Sequence, residues 1–367
     1  MLFNLKKDPK DCKIVVAMSG GVDSSTVAAI LVHQGYQVIG VTMQLYDYGL
    51  TVGKKGACCA GQDIYDAKMV ADRLNIPHYV LNYESLFKES VIDDFADSYM
   101  RGETPIPCVR CNQTVKFRDL LKMAKSLDAE ALCTGHYVRK AATPQGFELL
   151  RGIDHRKDQS YFLFATTKEQ LDYAHFPLGN YSKEETRRLA LHYGLEVADK
   201  PDSQDICFVP NGDYASVISK YRPGALDKGD LVHIDGRKLG QHDGIINFTI
   251  GQRKGLGVSS PDPLYVIKII PETKTVIVGP AEALYKARFI IKEVNWLAGF
   301  SDQAFNVSVK VRSNHDTVPA LLKLLPNRCA EVTLLLPEKA VTPGQACVVY
   351  QGERVLGGGW ITSQIYN

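Results

Sequence analysis

Ile14-Val15-Val16-Ala17-Met18 runs straight into Ser19-Gly20-Gly21-Val22-Asp23-Ser24-Ser25. A β-branched run that breaks at two glycines and resumes as Asp-Ser-Ser-Thr reads as strand, tight turn and helix start. Adjacent glycines let the backbone approach a ligand and take up positive φ. The helix that follows, over 24–32, aims N–H groups and a partial positive charge into the turn. Such a turn suits a phosphate. Gly-Gly alone would mark only an ordinary strand-to-helix turn. The hydroxyls of Ser19, Ser24 and Ser25 beside the metal-capable Asp23 carry the phosphate reading. No window supplies G-x-x-x-x-G-K-[ST] and none supplies G-x-G-x-x-G, which excludes the commoner phosphate loop and the dinucleotide fingerprint.

From Ile14 to Thr134 apolar strands alternate with amphipathic helices. Strands are expected at 37–43, 79–81 and 131–134, and helices at 63–74 and 112–127. The first of these helices places Ile64, Ala67, Val70, Ala71 and Leu74 on one face. This alternation predicts an α/β fold, a parallel sheet covered by helices on both faces. Ligands of such sheets lie beyond the carboxyl ends of the strands, which would gather the Ser19 turn, Met43 and Gly135-His136. A hairpin is expected around Thr143-Pro144-Gln145-Gly146, and Ser182-Lys183-Glu184-Glu185 is a capping box. After Cys207 glycines become frequent between short β-type runs, so a small β-rich central domain is expected over 212–284. From Phe289 onward, strands at 307–311, 330–336, 346–350 and 355–361 suggest a closed antiparallel barrel over 285–367. The catalytic part is then 1–211.

At 367 residues the chain has room for two or three domains. No run approaches a membrane span, and the N-terminus is too short and polar for a signal peptide, so a cytoplasmic protein is expected. Nine cysteines, an odd number, argue for reduced thiols over a disulfide framework. A net charge of +2 does not mark a dedicated nucleic-acid binder, so any RNA contact must come from local patches such as His155-Arg156-Lys157 or Arg253-Lys254.

Cys108-Val109-Arg110-Cys111 follows the proline-stiffened Thr104-Pro105-Ile106-Pro107. P-C-x-x-C is half of a zinc nucleobase deaminase signature, but the H-x-E half occurs nowhere, and a second C-x-x-C for structural zinc is missing too. Redox or nucleophilic work and simple burial both remain open. A helix opening at Asn112 would set Cys111 just before its N-terminus and favour the thiolate. Cys207 lies in Asp199-Lys200-Pro201-Asp202-Ser203-Gln204-Asp205-Ile206-Cys207-Phe208, a polar stretch suited to an exposed thiol that carries sulfur. Cys58-Cys59, Cys12, Cys133, Cys329 and Cys347 lack such context.

The Ser19 turn resembles the S-G-G-x-D-S loop of the ATP pyrophosphatase family. With the Thr104–Asn112 segment and D-S-Q-D-I-C-F, the chain resembles the bacterial tRNA-specific 2-thiouridylase family over nearly its whole length. Thr134-Gly135-His136-Tyr137, Arg156-Lys157-Asp158-Gln159-Ser160-Tyr161, Phe248 to Leu256, Val341-Thr342-Pro343-Gly344-Gln345 and Leu356-Gly357-Gly358-Gly359 extend the likeness. The resemblance implies replacement of the 2-oxygen of the wobble uridine of tRNA by sulfur, with ATP and Mg²⁺. Carried over, Ala17, Met18, Ser19, Gly20, Gly21, Val22, Asp23, Ser24, Met43 and Gly135 would hold ATP. Ile106, Pro107 and Cys108 would lie at the target base, and His136, Lys157, Asp158, Gln159, Arg312, Ser313 and Gln345 would touch tRNA. Cys207 would carry a persulfide, loaded by a cysteine desulfurase or a sulfur-relay protein, with Cys111 its partner nucleophile. The best-known members carry an acid where this chain has Cys108. Cys108, Cys111 and Cys207 could instead ligate an iron–sulfur cluster. The same loop also serves ligases such as the argininosuccinate, asparagine and GMP synthetases, which do not require the thiol pair.

Overall fold

The computed structural model describes residues 7–46, 59–202, 205–209, 212–299, 303–339 and 341–366. Cys58, Ser203 and Gln204 lie outside the described residues, as does the side chain of Cys59. The chain divides into two compact units, the first comprising residues 1–90, 109–204 and 353–355.

The first unit is built on parallel strands β1 (Lys13–Ala17), β2 (Gln37–Gln44), β3 (His78–Asn82), β4 (Ala131–Cys133) and β7 (Ala174–His175), in the order β3-β2-β1-β4-β7. Ile14 pairs with Val38 on one side and Ala131 on the other. The chain builds outward from β1 through β2 to β3, then crosses to the opposite side at β4. That reversal puts the crevice of a doubly wound sheet beside the Ser19 turn.

Helix α1 (Val22–His33) is buried at nine of its positions, Val22 and Ser24 to Leu31. It packs on Ile14 and Val16, while Val15, which points the other way by strand alternation, is equally inaccessible. Both faces of the sheet are therefore covered, as the alternation predicts. Helix α2 (Cys59–Leu74) buries Ala67, Val70 and Ala71 on the expected face. Helix α3 (Lys183–His192) opens at Ser182 with both halves of the capping box formed. The hairpin β5 (Val138–Thr143) and β6 (Gly146–Arg151) forms where it is expected.

One local expectation is corrected. The helical stretch does not open at Asn112: it begins at Pro107 and continues as a π-helical run, Cys111–Leu120, into Leu121–Ser126. Pro107 sits at a first helical position, where its fixed φ and missing N–H cost nothing. Cys111 is thus inside the helical stretch and 7% exposed, without the free N–H groups of a helix start.

The second unit comprises residues 91–108, 205–352 and 356–367. Helix α4 (Tyr214–Tyr221) ends at Arg222, whose guanidinium bonds Asp97 Oδ1 at 2.6 Å and Asp93 Oδ1 at 3.0 Å on the helix Asp93–Met100. A mixed sheet follows, β8 (Gly229–His233), β9 (Lys238–His242), β10 (Tyr265–Ile270) and β11 (Thr275–Gly279), in the order β10-β11-β8-β9. The last strands are β12 (Lys286–Trp296), β13 (Phe305–Lys310), β14 (Val318–Leu325), β15 (Cys329–Glu338), β16 (Ala346–Gln351) and β17 (Arg354–Tyr366). They run β12-β15-β14-β13-β16-β17, and β17 pairs back onto β12, closing a barrel among the described residues. Strand β14 had no sequence signal, because Val-Pro-Ala-Leu-Leu-Lys-Leu-Leu is leucine-rich and poor in β-branched residues. Partners on both sides make it a strand, with Ala320, Leu322 and Leu324 turned inward.

Candidate functional site

In the first unit the Ser19 turn is shaped by its neighbours. Gly20 has φ +71°, and a Cβ there would lie 2.1 Å from the Asp63 carbonyl oxygen. Only glycine fits. Gly135 approaches from the other side of the crevice, where a Cβ would stand 2.9 Å from the Ser24 nitrogen. The Ser19 N–H donates to Ser24 Oγ at 3.1 Å, which fixes the turn's width. Ser25 Oγ is buried with no hydrogen-bond partner among the described residues. A narrow turn at a helix start, an unsatisfied hydroxyl and open space beside Gly21 fit a polyphosphate. Met43, half-buried, lies on β2 opposite Leu81 in the register.

Asp23 is the carboxylate of the turn. Lys183 Nζ bonds both its oxygens, at 2.7 and 2.8 Å, and Tyr137 OH donates to Oδ1 at 2.7 Å. Burial and the Asp23 charge push the Tyr137 hydroxyl well above its usual range, so it stays a donor. Lys183 also meets Asp202 at 2.8 Å, and Asp202 receives Lys157 at 2.8 Å and Arg187 at 3.3 Å. Burial would raise the Asp202 pKa, but the bonds from Lys157 and Lys183 prevail and hold it at about 2. Lys200 Nζ donates to the Gly20 carbonyl at 3.0 Å and to Asp63 at 2.7 Å, and also pairs with Asp66. The turn is clamped to α2 by a single ammonium. Lys183, Lys200, Asp202 and Asp63 were not read as site residues. No spacing signal could have found Lys183, which lies 160 positions from Asp23.

The four residues expected at tRNA in this unit all have internal partners. Asp158 is nearly inaccessible and accepts from Arg151, Ser160 Oγ and the Gly152 and Ser160 N–H groups, so it braces its own loop. Gln159 Oε1 accepts from the Tyr137 N–H at 2.9 Å. Lys157 holds Asp202. His136 is half-buried beside Phe117, bonded to Thr134 Oγ1 at 2.7 Å, and burial drops its pKa to about 3. It is a neutral ring.

In the second unit Cys207 is exposed while the next two residues, Phe208 and Val209, are 3% and 2% exposed. Phe208 stands edge-on to Phe95 at 5.2 Å. The backbone is anchored directly after an accessible sulfur. Cys108 is exposed as well. Ile106 is half-buried and Pro107 buried. The Val341–Gln345 segment clamps the loop before them: Thr104 N–H donates to the Pro343 carbonyl at 2.8 Å, and Gln345 Nε2 donates to the Thr104 carbonyl at 2.9 Å. Gly344, at φ +85°, leaves no room for a Cβ, which would stand 2.8 Å from Glu103 Cβ. Arg312 donates to Thr342 Oγ1 at 3.0 Å, and Ser313 is exposed.

A lone Asp23 completed by substrate phosphates suits Mg²⁺, which binds through one or two carboxylates plus phosphate oxygens. An iron–sulfur cluster needs a gathered thiolate set. Among the described residues no group of three or more His, Cys, Asp or Glu is arranged to hold a metal.

The tRNA methyl transferase HUP domain family matches residues 12–211, its PRC-barrel domain 215–280, and the aminomethyltransferase β-barrel domain 286–361. The tRNA-specific 2-thiouridylase MnmA of Rhodospirillum centenum is 61% identical over 97% of this chain and 93% of its own length. That of Rickettsia felis is 63% identical over 97% and 98%. Among solved structures, a 4-thiouridine synthetase–RNA complex with bound ATP is 18% identical, with TM-score 0.38, over 55% of this chain and 46% of that one. With family models along most of its length and such relatives end to end, this chain belongs to the tRNA-specific 2-thiouridylase family.

Proposed function

We propose that this protein is an ATP-dependent sulfurtransferase that converts the wobble uridine of tRNA (U34) to 2-thiouridine, releasing AMP and pyrophosphate. The observation that carries the reading is Cys207, an exposed sulfur on an anchored backbone, in a chain that also holds a pyrophosphate turn. Ligases that adenylate small carboxylates need the turn and not the thiol. The names of the relatives support tRNA as the substrate. The matched ranges support boundaries near 211 and 284; we assign catalysis to 1–211 and tRNA contacts to 212–284 and 285–367. We place the protein in the cytoplasm, with the tRNA of the proposed reaction; among the described residues no helix is long and apolar enough to cross a membrane.

The C2 carbonyl of uracil is a poor electrophile with no leaving group. Transfer of AMP to that oxygen creates one. Ala17 to Ser24, Met43 and Gly135 hold the ATP, and the N–H groups of the turn with Ser19 and Ser24 steady the departing pyrophosphate. Mg²⁺, when bound at Asp23, supplies further charge neutralisation there. The target base, turned out of its stack, enters beside Ile106, Pro107 and Cys108. Lys157 exchanges Asp202 for a phosphate, neutral His136 hydrogen-bonds or stacks, and Arg312, Ser313 and Gln345 contact the tRNA.

A donor protein, a cysteine desulfurase or a sulfur relay, loads Cys207 as a persulfide. Its outer sulfur attacks C2 and AMP leaves, giving a uridine–S–S–Cys207 link. The Cys111 thiolate then attacks the Cys207 sulfur and releases 2-thiouridine. The resulting Cys111–Cys207 disulfide is reduced by an external dithiol.

The test is mass spectrometry of tRNA after reaction, alongside pyrophosphate release. Cys207→Ser should abolish thiolation and leave tRNA-dependent pyrophosphate release in place. Thiolation unchanged by Cys207→Ser would overturn the persulfide route, and pyrophosphate release indifferent to tRNA would favour a small-molecule ligase. Iron in anaerobically purified protein that vanishes with Cys108→Ser would replace the persulfide route by a cluster.

A further inference from the structure

Both oxygens of Asp23 are taken by one ammonium. Lys183 is only 12% exposed, lies 2.7–2.8 Å from Asp23 and 2.8 Å from Asp202, and stands at the first position of α3, whose start is fixed by the Ser182 capping box. A divalent cation at Asp23 would stand against the Lys183 ammonium, so the two compete for its oxygens. Asp202 is bonded to Lys183 separately and is itself held by Lys157 and Arg187. A Lys183 displaced from Asp23 therefore stays tethered at the turn. Its next partner there is a phosphate oxygen.

We propose that Lys183 is an exchange cation: it caps Asp23 when the turn is empty and passes to a phosphate when magnesium–nucleotide enters, with Asp202 as its tether. This rests on the ATP reading above. Lys183 thereby acts twice, lowering the affinity of Asp23 for a bare divalent cation and raising that of the site for the metal–nucleotide pair. Loss of the ammonium must shift the two affinities in opposite directions. A residue that merely supports the fold would weaken both.

The experiment uses full-length protein and two titrations, Mn²⁺ alone and Mg²⁺ with α,β-methylene-ATP. In Lys183→Met, Mn²⁺ should bind more tightly and the nucleotide more weakly, each by about tenfold or more, the size of one charge-assisted hydrogen bond. Lys183→Arg should restore nucleotide binding most of the way. If Lys183→Met does not fold, Lys183→Gln carries the same pair of titrations. Both affinities weakened, or either one unchanged, overturns the exchange. Wild-type protein that binds no nucleotide overturns the ATP reading and the exchange with it, whereas wild-type binding with an indifferent variant overturns the exchange alone.

Discussion

Gly20 and Gly21 are adjacent and chemically identical, yet alanine should do different things at each. At Gly20 the backbone has φ +71°, which costs an L-residue roughly 1–2 kcal/mol. The new Cβ would also lie 2.1 Å from the Asp63 carbonyl oxygen, about 1.3 Å short of the 3.4 Å where ordinary contact begins. Because the obstacle is backbone, and Lys200 ties the Gly20 carbonyl to Asp63, the turn and α2 must part. Overpacking of this kind costs about 1–3 kcal/mol. Together these predict a fall of roughly 5–15 °C in the melting of the first unit. At Gly21 φ is −90°, and the nearest atom to a Cβ is Ser19 Oγ at 3.7 Å. Gly21→Ala should therefore cost only about 0.5–1 kcal/mol, the loss of a favoured helix cap. Its methyl would, however, occupy the space a phosphate needs. The assay is calorimetry paired with α,β-methylene-ATP binding: Gly20→Ala loses stability and binding, while Gly21→Ala keeps stability and loses at least about tenfold in affinity, the size of one charge-assisted hydrogen bond. Equal melting of the two variants, or wild-type affinity in Gly21→Ala, would refute this reasoning.

Two further outcomes follow from the site. Asp202 titrates at about 2 in the folded chain against 3.8 ordinarily, so its contribution is present above pH 4 and is lost as pH falls through 2. Asp202→Asn should cost about 2 kcal/mol at pH 7, and the gap from wild type should close between pH 4 and 2 in denaturant titrations; a gap independent of pH would contradict it. Gly344→Ala should push the Glu103–Thr104 backbone away and weaken the Thr104 N–H bond to Pro343. Hydrogen exchange at that amide should accelerate, and unchanged protection would show that the clamp does not depend on Gly344.

Where one residue type had one physical use, the sequence was legible. The apolar alternation from Ile14 gave the covered parallel sheet, because strand and helix periods differ. Ser182 and Glu185 gave a helix start, because a capping box is local chemistry. Reading failed where the answer lay in a partner. Strand β14 is leucine-rich and is made a strand by β13 and β15. Cys111 was placed at a helix start because Asn112 looks like a cap, yet Pro107 opens the helix earlier. Lys183 looked like part of a capping box and proves to hold Asp23.

By itself the sequence determined the turn's chemistry: two glycines, hydroxyls and one carboxylate between a strand and a helix, with a thiol in a polar stretch far along the chain. Local geometry and residue type suffice for that. Only the tertiary structure decided what surrounds the turn. Lys183 and Lys200 reach it from segments 160 and 180 residues away, and Gly135 closes on it from beyond β4. Charges are paired by distance in space, and the folded chain alone sets that distance.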